Sequence, residues 1–364
     1  MNLARCNHPL KSTKNMNLEL LAGESAFAEI KENGLSADRI RLMVGASGGP
    51  KWLMLSRLDQ YFTEHFFSPN HSMSLIGSSI GAWRMALYAQ KDPLARFKDF
   101  EEIYLNQRYK TLSPKEITGF IERVRDALFS GQYARDIVEN ASRQLHVVAV
   151  RNRKLLNGRS NWMQAISLLS AAAGNLVSNK IVEALYPRVV ISHKGSIGPY
   201  SKTPEVIPLT EKNVAQALVA SGAIPMVLEP TLVEGGINRW YWDGGMVDYH
   251  FSGPFNIDDG LVFYPHFFPK IVPAWFDKSL PWRSAKAKHY DNVVMVTPSQ
   301  SFIDQLPYGK IPDRKDFNKL SDDERERYWH TVLDQTNRLV EEFHEMMMTD
   351  AGRSAVQPIS KIIK

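Results

Sequence analysis

Two stretches of this 364-residue chain carry the residue types for nucleophilic acyl chemistry. Gly77-Ser78-Ser79-Ile80-Gly81 follows the apolar run Met73–Ile76 and continues into Ala82–Leu87, which has helical composition. A serine between strand and helix, with small residues two before and two after it, meets the demand of a nucleophile elbow, whose turn is too sharp for side chains at the flanks. Gly77 and Gly81 are those small residues, and Ser79 is the candidate nucleophile. The second copy, Gly45-Ala46-Ser47-Gly48-Gly49, runs into Pro50-Lys51. Its glycines leave backbone N–H groups open to a ligand atom, and Pro50 suits the first position of a helix whose dipole adds positive potential. Gly48, Gly49 and the cation of Lys51 are therefore candidates for an oxyanion hole. Losing one such donor typically costs about 3 kcal/mol of transition-state stabilisation. A nucleotide phosphate loop is excluded on residue types: it needs Gly at Pro50 and Ser or Thr at Trp52.

A serine nucleophile needs a base. His193, His250, His266, His289 and His330 lie downstream, none in an informative context. Trp242-Asp243-Gly244-Gly245 is more pointed: aromatics before the aspartate and two glycines after it suit a semi-buried carboxylate on a tight turn. A free aspartate, with a pKa of about 3.9, is a poor base, and desolvation raises it. The plainer meaning of Asp-Gly, an ordinary turn, stays open at this point.

These residues must be held by a framework. Arg39–Val44 alternates as a first strand, and Lys51–Phe62 follows as a helix. Ser72–Ile76 and Ile80–Gln90 repeat the pattern, which argues for a parallel sheet with helices packed on it. Asp92–Tyr133 is helical in character, with Ser113-Pro114-Lys115-Glu116 opening one helix. Leu145–Val150, Val189–Ser192 and Val293–Val296 are strands, and Glu211–Ser221 is a helix. Asn161–Asn179 is a largely apolar helix, either core or part of a cap over an acyl site. Trp240–Trp282 is dense in aromatics and offers a second acyl wall, or simply core. Ser321–Met348 is a long helix with Ser321 and Glu324 placed as a capping box, and with Leu333, Val340, Phe343 and Met347 as its buried stripe. The expected organisation is a loose arm over 1–23, a single domain over 24–350 with a helical insertion at about 92–143, and a basic, fraying tail over 351–364.

Composition is that of a globular protein, 44% hydrophobic and 23% charged. The net charge of +5 is spread along the chain without a Lys/Arg block, so nucleic acid is not an expected partner. The single cysteine, Cys6, permits no intramolecular disulfide and no cysteine-based metal site. Met1–Leu20 has no apolar h-region, so no secretory signal is expected, and the least polar window, Trp162–Val177, is shorter than a bilayer span of about 20 residues. A cytoplasmic protein able to touch membranes from outside is expected, with no metal or cofactor; the oligomeric state is open.

Taken in order, the glycine-rich turn, Gly77–Gly81, Ala220-Ser221-Gly222-Ala223-Ile224-Pro225 and Asp243-Gly244-Gly245 resemble the motifs of the patatin-like phospholipases, over roughly Arg39–Val247. Ser47 and Trp52 stand where that family's oxyanion motif has its outer glycines. Asp248-Tyr249-His250-Phe251 departs from the family's usual continuation, which makes His250 an additional candidate. The resemblance implies a three-layer α/β/α sandwich with a mainly parallel central sheet. It also implies lipid acyl hydrolysis by a Ser79/Asp243 dyad without histidine: Gly48, Gly49 and Lys51 hold the oxyanion, and Gly77, Gly81, Gly244 and Gly245 shape the turns. An acyltransferase on the same dyad and a non-catalytic lipid-binding protein are the alternatives.

Overall fold

The computed structural model describes residues 16–152, 161–196, 198–200 and 205–364. Cys6 and most of the expected arm lie outside them. A ten-stranded sheet runs through the molecule, with strands β1 (Leu18–Ala22), β2 (Ile40–Gly45), β3 (Met73–Ser78), β4 (Arg143–Arg151), β5 (Arg188–His193), β6 (Val206–Leu209), β7 (Tyr241–Asp243), β8 (Leu261–Pro265), β9 (Val293–Pro298) and β10 (Gln357–Pro358). Their order is β10-β1-β9-β8-β2-β3-β4-β5-β6, with β7 paired to β4. The centre, β9-β8-β2-β3-β4, is parallel throughout. Its strands read as near-continuous apolar runs because both faces are covered. With helices packed against it, this is the expected α/β/α sandwich.

The helices in chain order are α1 (Glu24–Asn33), α2 (Leu53–Tyr61), α3 (Ile80–Tyr88), α4 (Pro93–Leu105), α5 (Pro114–Phe129), α6 (Gln132–Glu139), α7 (Asn161–Val177), α8 (Asn179–Leu185) and α9 (Val214–Gly222). They are followed by α10 (Gln300–Gln305), α11 (Asp316–Lys319), α12 (Asp322–Met348) and α13 (Ala351–Ala355). The Ser321/Glu324 capping box opens α12 as expected. On its inner stripe Leu333 and Phe343 are buried, while Val340 and Met347 are half-buried.

Both chain ends depart from expectation. Leu18–Ala22, assigned to a loose arm, is strand β1 between β9 and β10. The carboxylate of Glu342 on α12 accepts the N–H groups of Asn17 and Leu18, each at 2.8 Å, and so anchors it. The segment 351–364, expected to fray on its charges, forms α13 and β10 and buries Val356, Ile359 and Ile363. Those apolar residues, interleaved with the basic ones, decide its placement.

Candidate active site

The two Gly-x-Ser-x-Gly copies lie side by side. β2 and β3 pair in parallel with Gly45 opposite Gly77, and each strand ends in its own turn. Gly81 is pressed against the first copy: a Cβ there would sit 2.1 Å from the Gly45 carbonyl oxygen. A Cβ on Gly77 would meet the Ala82 nitrogen at 2.5 Å. Both positions are therefore closed to any side chain. Ser79 caps α3 with φ 53° and ψ −133°, a strained conformation for a non-glycine residue, held because its neighbours are packed tightly around it.

Asp243 reaches Ser79 through β4. On one edge of β4, β3 pairs as far as Ser78 opposite Val148. β7 then takes over that edge in the opposite direction, with Asp243 opposite Ala149. The last residue of β7 thus stands beside the serine that follows β3. The Ser79 hydroxyl donates to Asp243 Oδ2 at 2.8 Å, and both residues are buried. Asp243 Oδ1 accepts the Gly245 N–H at 2.7 Å, which fixes the carboxylate's plane. The two glycines after it are forced by contact: a Cβ on Gly244 would lie 2.2 Å from the Val148 oxygen, and one on Gly245 would lie 2.6 Å from Ser47 Oγ.

Burial pushes the Asp243 carboxyl above the ordinary aspartate range; the Arg314 cation, the Gly245 and Ser79 hydrogen bonds and Lys278 pull it back in part. Its protonated form is thereby made more accessible, as a proton acceptor requires.

The glycine-rich turn lies across the cleft. The Gly48 and Gly49 N–H groups make no hydrogen bond among the described residues. Gly49 has φ +56°, a left-handed conformation that glycine adopts without strain. Lys51 lines the same cleft, its Nζ donating to the Tyr249 hydroxyl at 3.4 Å, and burial lowers its pKa. Ser47 is committed elsewhere: its N–H donates to the Tyr249 carbonyl at 2.9 Å and its Oγ lies 2.7 Å from Ser78 Oγ. Ser78 Oγ in turn donates to the Asp248 carbonyl at 2.6 Å. Among the described residues Ser47 Oγ makes no hydrogen bond to a carboxylate, which separates it from Ser79.

The parts played by four further residues emerge only in three dimensions. Ser221 Oγ accepts the Ser79 N–H at 2.8 Å and donates to the Val148 carbonyl at 2.6 Å. Two residues on, the Ala223 carbonyl accepts the Asp243 N–H at 2.9 Å. The Ala220–Pro225 segment therefore locks serine and aspartate to one another; its motif was visible in the sequence, its task was not. Arg314 and Lys278 also line the cleft. Lys278 Nζ stacks on the Tyr249 ring, 3.9 Å from its centroid. Although the residue as a whole is exposed, burial of the ammonium, with Lys51 and Arg314 nearby, lowers its pKa to about 7. Neither residue carries a motif, so neither could be found from the chain alone.

His250 does not line the cleft. Its Nδ1 accepts the Val272 N–H at 2.9 Å, and its ring packs on His266 and Tyr249. Complete burial, helped by His266, Lys51 and Lys278, holds its pKa well below the ordinary histidine value. The two stretches expected as acyl walls or core contribute few apolar side chains to the spaces beside Ser79. A cleft of about 300 Å³ holds Ser79, Asp243 and the cations. An adjoining apolar chamber of about 340 Å³ opens on the same serine. Its walls come from the 92–143 helices and the elements around them, among them Trp83, Phe100, Phe120 and Val124, with Val227 and Phe317. From Trp240–Trp282 only Tyr249 and Trp275 among the aromatics reach the cleft, and no residue of Trp162–Val177 lines either space.

Over residues 74–250 the chain matches the patatin-like phospholipases, as the sequence motifs implied. That family acts on lipids as acyl hydrolases. The match contains Ser79, Ser221, Asp243 and His250; the Gly45–Lys51 turn precedes it, and Lys278 and Arg314 follow it. No curated protein matches the chain.

Proposed function

We propose that this protein hydrolyses carboxylic esters of lipids, with Ser79 as nucleophile and Asp243 as its base. The observation that carries this reading is the 2.8 Å hydrogen bond from the Ser79 hydroxyl to Asp243 Oδ2, on a strained turn beside unpaired backbone donors. Ser79 Oγ attacks the ester carbonyl carbon while its proton passes to Asp243. The carbonyl oxygen, now an anion, accepts from the Gly48 and Gly49 N–H groups with Lys51 close by. The intermediate collapses, the C–O bond to the alcohol breaks, and Asp243 returns its proton to the departing oxygen. Water then attacks the acyl-serine and loses its proton to Asp243; the C–O bond to Ser79 breaks, Asp243 returns the proton to Ser79 Oγ, and the acid leaves.

The apolar chamber beside Ser79 receives the acyl chain, and the cation-lined cleft receives the alcohol side of the ester. The test is labelling by an active-site-directed fluorophosphonate, together with hydrolysis of acyl esters and phospholipids of graded chain length. Labelling and hydrolysis that vanish in Ser79→Ala support the reading. Labelling that persists in that variant overturns the nucleophile, and a folded wild type that neither labels nor hydrolyses any ester overturns the enzyme.

A further inference from the structure

Helix α7 is inside out. Its 17 residues contain no Asp, Glu, Lys or Arg. The side chains turned toward the protein are mainly polar: Gln164, Ser167 and Asn175 are buried, with Ala171 among them. The large apolar side chains face outward, with Trp162 66%, Leu169 70%, Leu176 61% and Val177 79% exposed, and Ile166 on the same stripe. A helix on a water-facing surface has the opposite pattern, because apolar area left in water is unfavourable in proportion to its size. Trp282, 66% exposed, extends the stripe: it precedes Arg283, which donates to the Asn175 carbonyl at 2.7 Å.

The inner face of α7 is bonded to the rim of the cleft at two places. Gln164 Oε1 accepts the Met226 N–H at 2.8 Å, directly after the cleft-lining Ile224 and Pro225. Asn175 Nδ2 donates to Asp277 Oδ1 at 2.8 Å, between the cleft-lining Trp275 and Lys278. These two bonds fix α7, and with it the outward apolar stripe, relative to the rim of the cleft.

We propose that the outward stripe of α7, with Trp282, docks the protein on a lipid surface and sets the cleft mouth at headgroup level. This rests on the lipid-ester reading above, and it adds where the lipid is met. A bilayer is the occupant that fits. The stripe is uncharged, carries indole rings suited to the interface, and is bordered by the exposed Lys180 on a chain of net charge +5, which favours anionic lipid. The helix lies on the surface and does not cross it; among the described residues no helix is long and apolar enough to span.

The experiment is co-sedimentation of the full chain with phosphatidylcholine vesicles, with and without phosphatidylglycerol, for the wild type and for Ile166→Ser/Leu169→Ser. Hydrolysis of a soluble short-chain ester is measured in parallel, and Ser79→Ala is sedimented as a non-hydrolysing reference. Vesicle binding by wild type and Ser79→Ala, at least tenfold weaker in the double variant while soluble-ester turnover stays within about twofold, supports the proposal. Wild type that fails to bind either vesicle overturns it, as does equal binding by the double variant. A dimer in light scattering that the substitutions dissolve, without vesicle binding, assigns the face to a second copy and also overturns it. If soluble-ester hydrolysis is absent but the stripe still governs vesicle binding, the failure lies in the catalytic reading alone. A double variant that does not fold is replaced by Trp282→Ser, judged by the same vesicle criterion.

Discussion

Ser79 and Asp243 stand 164 positions apart in the chain, and the serine hydroxyl donates to the aspartate carboxylate at 2.8 Å. What joins them is neither residue's own segment but β4, whose edge β3 leaves at Val148 and β7 enters at Ala149. Ser221 and Ala223 then tie the two backbones from the far side.

Asp243→Asn tests the base without removing its shape. The expected loss in kcat is about 10²- to 10⁴-fold, the usual range for removing a positioned base. The thermal midpoint at neutral pH is expected to be unchanged or higher, because a buried carboxylate no longer has to be charged. Steady-state kinetics and calorimetry on the same preparation check both. Near-wild-type turnover removes Asp243 from the mechanism.

The pH profile follows from the same burial. The Asp243 pKa is raised in the folded state, so the acid limb of kcat/KM is expected above the free-aspartate value of about 3.9. Arg314 favours the charged carboxylate, and Arg314→Gln should therefore move that limb to still higher pH. The stability sign is opposite: the contribution of this group is fully present below the unfolded pKa and is lost as pH rises through the folded value. An acid limb that stays put in Arg314→Gln would show that Arg314 is not coupled to the base.

Ser47→Ala and Ser79→Ala should separate cleanly. Ser47 holds the turn through Ser78, so its loss is expected to cost about 1 kcal/mol of stability with turnover retained within about tenfold. Ser79→Ala should keep its stability and lose turnover. Denaturant midpoints and ester hydrolysis read the two effects; complete inactivity of a folded Ser47→Ala would reverse the assignment of the two turns.

Asp59→Ala tests the brace behind the elbow. Arg84 on α3 donates to Asp59 on α2 through Nε and Nη2, both at 2.7 Å, and Tyr88 adds a third bond at 2.9 Å. Both charges are buried, so leaving Arg84 alone should cost about 3–5 kcal/mol, measured by denaturant unfolding. A loss below about 1 kcal/mol would mean that water or another group relieves the arginine.

Gly81→Ala should be worse tolerated than most surface changes. Its Cβ would stand 2.1 Å from a backbone oxygen that cannot swing away, and a loss of about 3 kcal/mol or more, or of soluble protein, is expected.

By itself the sequence determined the local structures that carry chemistry. The elbow, the glycine-rich turn, the Asp-Gly-Gly turn and the α12 capping box were legible because each depends on residues within a few positions of one another. It also conveyed the parallel sheet, through repeated strand–turn–helix units. Only the tertiary structure decided which charged groups meet the site. Arg314 arrives on a turn and Lys278 on a short 3-10 helix, neither with a motif, and His250, close in sequence to Asp243, is turned into the core. The same holds for α7: the chain shows that it is apolar, but which face is inward depends on the polar partners offered by Met226, Tyr186 and Asp277. Hydrogen bonds to those partners turn the polar side of the helix inward and leave its apolar side outside. That choice depends on residues far away in the chain, which local periodicity does not encode.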